Sequence, residues 1–167
     1  GVAEIVEFMT EGYRVEAGIA LSGCDNTIPA ALMTIARNNL IGLTLYGGSI
    51  LPGEYHGRAL NIVSAFEAIG AHCAGKIDAA ELHAVECHSC PGAGSCAGMY
   101  TANTMASAIE ALGMSLPGAA SNLAVDEANE ISADKREDCV RAAKALVGLL
   151  ESGLKARDIM TRKAFEN

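Results

Sequence analysis

The chain has 167 residues, half of them hydrophobic and only 4% aromatic, and a formal net charge of -8. That length supports one domain with a real core. The acidic balance, with no basic stripe to offset it, argues against nucleic-acid binding, and no apolar run approaches the roughly 20 residues of a membrane-spanning helix. No secretory signal opens the chain. The apolar mass is Ala, Leu, Ile, Val and Met set among many Gly, which suits layered α/β structure better than an all-β sandwich.

Residues 3–11 predict a short amphipathic helix with Ile5, Val6, Phe8 and Met9 inward, ended by Gly12. Because a helix is under way at the first residues, the start reads as the inside of a longer protein. Ala17 to Ser22 is an apolar run of strand length, stopped by Gly23-Cys24-Asp25-Asn26. Pro29 marks a helix start, since its missing N–H is not needed in the first turn. That helix runs to Asn38 with Leu32, Met33, Ile35 and Ala36 as its apolar side. Ile41 to Tyr46 is a second strand, stopped by Gly47-Gly48. Strand, loop, helix and strand over 17–46 spell a parallel βαβ unit with a right-handed crossover.

The Gly/Pro-rich stretch 47–57 reads as a loop. Residues 58–73 predict a helix with Ile62, Val63, Phe66 and Ile69 on one face, and 78–87 another, capped by Asp78. Ser89 to Gly98 is a loop. Met99 to Leu112 is a helix of small residues, suited to close backbone approach within a core. Lys135 to Glu151 is an amphipathic helix packed outside the sheet, with Cys139, Ala142, Ala143, Leu146, Leu149 and Leu150 inward and Gly153 at its end. Thr161 stands as an N-cap, but the residues left are too few for a stable helix, so this end also reads as cut. The expected fold is α/β, a three-layer, mostly parallel sheet flanked by helices, with residues 1–167 as a single partial domain.

Six cysteines (Cys24, Cys73, Cys87, Cys90, Cys96 and Cys139) in so aliphatic a chain read as reduced thiols rather than a disulfide framework. Two Gly-rich turns place a Cys at the start of a helix. Free N–H groups and the positive dipole end there favour the thiolate, the form that binds iron or zinc. The first turn lies at the C-terminal end of a parallel strand, where ligands of open α/β sheets collect. Its Cys24 offers a soft ligand for an iron–sulfur cluster and its Asp25 a hard one for Mg²⁺. The plainer reading is a buried thiol and an Asp capping the helix at Pro29. In the second turn, the spacing of Cys87 and Cys90 suggests zinc or a redox dithiol. The zinc set lacks a second pair, and a thioredoxin-like motif would follow a strand, so both read as core thiols. Cys96, between Gly94 and Gly98, is the better metal ligand. His56 lies in the loop after the second strand, within reach of such a site; His72, His83 and His88 read as structural or solvent-facing. Neither a phosphate loop nor a dinucleotide fingerprint is present.

The run CPGAGSCAGMYTANTMASAIEALGMSLPG (Cys90 to Gly118) resembles the central motif of the dihydroxy-acid dehydratase family. GCDNTIPAALMTIARNN (Gly23 to Asn39) resembles its other motif, and LYGGSILPG (Leu45 to Gly53) and RDIMTRKAFEN (Arg157 to Asn167) match further blocks in order. The resemblance covers nearly the whole chain and favours the branched-chain biosynthetic branch over the related sugar-acid dehydratases.

It implies a lyase reaction, 2,3-dihydroxy acid to 2-oxo acid plus water, in valine and isoleucine synthesis. One open cluster iron acts as Lewis acid on the departing 3-hydroxyl, Mg²⁺ holds the carboxylate and 2-hydroxyl, and a base takes the C2 proton. Residue by residue, it implies that Cys24 and Cys96 are two of three ligands to an iron–sulfur cluster (2Fe-2S or 4Fe-4S) and that Asp25 is a Mg²⁺ ligand. Asn26 falls where the family carries a carbamylated lysine, a further Mg²⁺ ligand. A neutral amide brings one carbonyl oxygen and no charge, so weaker Mg²⁺ binding is expected. The third cysteine and the base, a serine, fall outside these residues, so no catalytic residue is expected in this chain and the isolated chain is expected to be inactive. The resemblance also implies a full-length homodimer acting on a small dihydroxy acid, with no nucleic-acid or membrane partner, in the cytoplasm or in an organelle stroma or matrix. Two readings compete: a non-catalytic assembly domain without the metals, and a zinc module of Cys87, Cys90 and Cys96.

Overall fold

In the computed structural model, which describes residues 1–96 and 98–166, the elements run α1 (Val2–Gly12), β1 (Ala17–Ser22), α2 (Thr27–Arg37), β2 (Ile41–Tyr46), β3 (Gly53–Tyr55), β4 (Arg58–Leu60), α3 (Ile62–Cys73), α4 (Ala79–Ser89), α5 (Thr101–Ala111), a 3₁₀ turn (Ala119–Ser121), α6 (Ala133–Ser152), α7 (Ala156–Ile159) and α8 (Arg162–Glu166). The βαβ unit stands where the sequence put it. β1 and β2 pair in parallel, with Ala17 opposite Ile41 and Ser22 opposite Tyr46. Side-chain alternation along β2 serves two cores. Tyr46 joins Ile28, Leu32 and Ile35 of α2 and Ala102, Ala106 and Ile109 of α5. Leu43 and Leu45 pack on Ala142 of α6. Helices therefore cover both faces of the parallel pair, the expected three layers.

The stretch read as a loop holds an antiparallel hairpin, β3 with β4. Its two turn residues, His56 (φ 51) and Gly57 (φ 71), are both left-handed, the requirement of a type I′ turn. His56 is thus a turn residue, with its ring 4.0 Å from that of Tyr55. The hairpin also shortens α3 at its start. Asn61 Oδ1 accepts from Val63 N at 2.9 Å, and Ser64 Oγ accepts from Asn61 N at 3.2 Å, so the helix begins at Ile62.

Several inward faces differ from the apolar pattern for one reason: small residues make the close contacts. Ala3 of α1 is buried beside α2, where Thr34 Oγ1 donates to its carbonyl at 3.2 Å, while Phe8 is 77% exposed and Ile5 and Met9 are also exposed. Ala65 and Ala68 carry the contact face of α3, and Val63, Phe66 and Ile69 point outward. α2 starts already at Thr27; Ile28 is buried and Met33 is exposed. On α6 the inner stripe runs through Lys135, Asp138 and Ala142, leaving Cys139, Ala143 and Leu150 outside. The last turn, α8, does form, with Thr161 Oγ1 accepting from Ala164 N at 3.3 Å.

Candidate functional site

Both parallel strands end at the same side, and three segments meet there. Gly47 N donates to Ser22 O at 2.9 Å, joining the exits of β1 and β2. The loop after α4 then threads alongside. Ser95 N donates to Gly48 O at 2.9 Å and Ile50 N to Ser95 O at 2.8 Å. On the other flank Ser49 N donates to Asn122 O at 3.2 Å and Ala124 N to Ser49 O at 2.9 Å. Ser49 is thereby bridged to both Ser95 and Leu123. Such close passage needs bare backbone at two points. Gly94 (φ 142) and Gly48 (φ 98) would each place an added Cβ within 2.5 Å of the neighbouring main chain, at Ile50 Cα and Ala124 N respectively.

The joint that matters for chemistry is the Ser95 hydroxyl donating to Gly23 O. Gly23 and Ser95 touch, and the next residue of each segment is a cysteine, Cys24 and Cys96. Both thiols are exposed. Cys24 sits at the N-terminus of α2, its carbonyl accepting from Thr27 N at 3.1 Å and Ile28 N at 3.0 Å. Cys24 Sγ donates to Asp25 Oδ1 at 3.1 Å, and Asn26 Nδ2 donates to the same oxygen at 3.0 Å. Asp25 is therefore not a helix cap, and Cys24 is not a buried thiol. Cys96 lies in the loop ahead of α5, which begins at Thr101 rather than at Met99, so that helix end does not reach it.

Cys87 and Cys90 are exposed, not core thiols; α4 turns Leu82, Val85 and Ser89 inward instead. His72 Nδ1 pairs with Ile77 O at 3.1 Å, and His88 Nδ1 with Ala84 O at 2.7 Å, the structural roles expected of them. No three His, Cys, Asp or Glu side chains converge as a metal site among the described residues, so the zinc module does not assemble. What the strand ends offer is two exposed thiols on adjoining loops, one carboxylate, and a close glycine approach. The Ser22 hydroxyl, one residue before Gly23, is buried without a partner among the described residues. That donor set suits soft metal at the sulfurs and hard metal at the carboxylate, and it is incomplete for either alone.

A buried ionic cluster behind the loops was not anticipated. Asp138 accepts from Lys135 Nζ at 2.9 Å, Asn122 Nδ2 at 2.8 Å and Arg141 at 3.1 Å. Lys135 Nζ also donates to Ala119 O at 3.2 Å and stands 5.7 Å over the Tyr46 ring, whose hydroxyl meets Ser49 Oγ at 3.1 Å. The cluster thus anchors the 119–122 segment and the Ser49 crossing together. Its signal in the sequence was a Lys and an Asp one turn apart on the inward phase of an amphipathic helix.

A parallel α/β unit with cysteine-bearing, glycine-rich loops gathered at its strand ends presents the edge at which open α/β folds take their ligands. The profile described as dihydroxy-acid/6-phosphogluconate dehydratase N-terminal matches residues 1–167, and the chain belongs to that family. A dihydroxy-acid dehydratase of Methylococcus capsulatus is 50% identical over 99% of this chain and 28% of its own length. A dihydroxy-acid dehydratase 2 of Staphylococcus saprophyticus is 49% identical over the same 99% and 28%, and a dihydroxy-acid dehydratase of Nitrosomonas eutropha 49% identical over 99% and 29%. The chain thus spans less than a third of the length of these relatives. No helix among the described residues is long and apolar enough to cross a membrane.

Proposed function

We propose that these residues belong to the iron–sulfur- and Mg²⁺-binding N-terminal domain of a lyase. It dehydrates 2,3-dihydroxy acids of the 2,3-dihydroxyisovalerate type to 2-oxo acids in branched-chain amino-acid biosynthesis, as a homodimer when full-length. Relatives named dihydroxy-acid dehydratase, about half identical, support the reaction. The family description also covers 6-phosphogluconate dehydratase, which makes a sugar acid the competing substrate. The observation that carries the site is the Ser95–Gly23 hydrogen bond, which sets Cys24 and Cys96 on adjoining loops.

In this reading Cys24 and Cys96 hold the cluster and Asp25 the Mg²⁺. When bound, these groups supply a Lewis acid for the departing hydroxyl and a counter-charge for the substrate carboxylate. The chain's own part is to present the ligands. The Cys24 thiol proton, which must leave before the sulfur binds metal, already points at the Asp25 carboxylate. Asn26 works in the other direction. It brings no negative charge beside Asp25, and its N–H meets Oδ1 while Oδ2 stays open among the described residues, so Mg²⁺ binding is expected to be weaker. That neutral side chain is what favours the second reading, an assembly domain that keeps the fold without the metals.

Iron and sulfide content separate the two. Protein purified without oxygen is expected to carry iron with a cluster absorption band, and Cys24→Ser or Cys96→Ser to lose it. Absence of iron from the unaltered chain would favour the assembly domain. The isolated chain is expected to leave 2,3-dihydroxyisovalerate unchanged; turnover would show that the base lies within it.

A further inference from the structure

Among the described residues, one buried side chain holds a polar atom with no hydrogen-bond partner, the Ser22 hydroxyl. Ser22 is 8% exposed and ends β1. Buried polar groups are ordinarily paired, because leaving one unpaired carries its full desolvation cost. This hydroxyl therefore calls for an acceptor that joins it when the site is filled.

The sheet decides which acceptor. Ser22 lies opposite Tyr46 in the parallel register. Tyr46 and Ala20 pack with the core of α2 and α5, whereas Leu43 and Leu45 pack with α6. Alternation turns the Ser22 side chain to the α2 and α5 face, beneath the turn that opens α2. Cys24 stands two residues on, in that turn. Gly23, between them, takes the Ser95 hydroxyl on its carbonyl, which brings the Cys96 loop across at the same level. The Ser22 carbonyl is already used by Gly47 N at 2.9 Å, so the main chain is fixed and the hydroxyl is what is left to bond.

As a thiol, Cys24 donates to Asp25 Oδ1 at 3.1 Å. A sulfur bound to metal has no proton to give, and an ionised carboxylate only accepts, so that contact ends on binding. The sulfur then takes a donor instead of an acceptor. Resting on the cluster reading above, we propose that Ser22 is a positioning residue for the iron–sulfur group: its hydroxyl donates to the Cys24 sulfur once that sulfur carries iron. The exchange of partners also releases Asp25 Oδ1 from the thiol. Hydrogen bonds to cluster sulfurs stabilise the more negative, reduced state and hold the ligand in orientation.

The test compares the unaltered chain with Ser22→Ala and Ser22→Thr, each reconstituted with iron and sulfide without oxygen. Ser22→Ala is expected to hold iron about 10–100-fold more weakly against a chelator, the usual worth of an outer-shell partner. Its cluster potential is expected to move to more negative values. Ser22→Thr, which keeps the hydroxyl, should restore both. Resonance Raman of the unaltered protein adds a readout that a purely structural role would not move. Its iron–thiolate stretching bands are expected to shift in D₂O, by more than those of Ser22→Ala. Without added iron, Ser22→Ala should melt no lower than the unaltered chain, since it gives up a hydroxyl that bonds to nothing. A lower melt there would make the hydroxyl structural and overturn the assignment. Equal iron retention and potential in Ser22→Ala and the unaltered chain would overturn it while leaving the cluster reading intact. An unaltered chain that takes up no cluster would overturn both.

Discussion

Gly94→Ala is expected to lower the melting temperature by roughly 4–20 °C, taking about 2–4 °C per kcal/mol for a chain of this size. Two costs combine. A left-handed backbone costs a non-glycine residue about 1–2 kcal/mol, and Gly94 has φ 142. The new Cβ would also fall within 2.5 Å of Ile50 Cα, which is main chain and cannot rotate away. Relieving such an overlap by moving backbone costs about 1–3 kcal/mol more. The shift would part the Ser49–Ser95 crossing and with it the Ser95–Gly23 bond, so the metal retention proposed for Cys24 and Cys96 should fall together with stability. Gly57→Ala is the control, because Gly57 has φ 71 and open space around it, so only the backbone term remains. Thermal melts of the two variants decide the matter: equal losses would mean that the crossing tolerates a side chain and does not hold the two loops together.

That crossing was invisible to local reading. The strands were legible because AGIALS and IGLTLY are short apolar runs stopped by Gly, and both ends fell as read. Cys24 and Asp25 were legible as candidates because they follow such a strand. The hydroxyl that ties Cys24's loop to Cys96's comes from 72 residues away, a distance no periodicity spans. The hairpin was missed because each strand has three residues and the turn is His56-Gly57, not the Asn-Gly or Asp-Gly that usually marks one. The faces of α1 and α3 were misjudged because bulky side chains were taken as the inward ones. Ala3, Ala65 and Ala68 make the contacts instead, allowing helices to approach closely. On α6 the error had another cause: two of the buried positions are charged, which a hydrophobic pattern reads as surface.

Those two charges give the second large effect. Asp138→Ala is expected to destabilise the chain by about 3–5 kcal/mol, the cost of leaving one member of a buried pair uncompensated. Asp138 is 1% exposed and Lys135 4%. Without the carboxylate, the Lys135 ammonium keeps the Ala119 carbonyl and the Tyr46 ring, and Asn122 loses its acceptor. Replacing both charges, Lys135→Met with Asp138→Leu, should recover much of the loss, because the penalty lies in the unpaired charge rather than in the absence of a bond. The pair also sets a pH dependence. Burial pushes the Asp138 carboxyl up, but the Asn122 and Lys135 hydrogen bonds, with the Lys135 and Arg141 charges, outweigh it and hold it below the usual carboxylate range. The unfolded chain then binds the proton more readily than the folded one. The contribution is full above the unfolded carboxylate value and is lost as pH falls through the folded one, so stability should decline below about pH 5. Urea unfolding across that range checks both statements. Asp138→Asn should flatten the acid decline, and a decline equally steep in that variant would assign the acid sensitivity to other carboxylates.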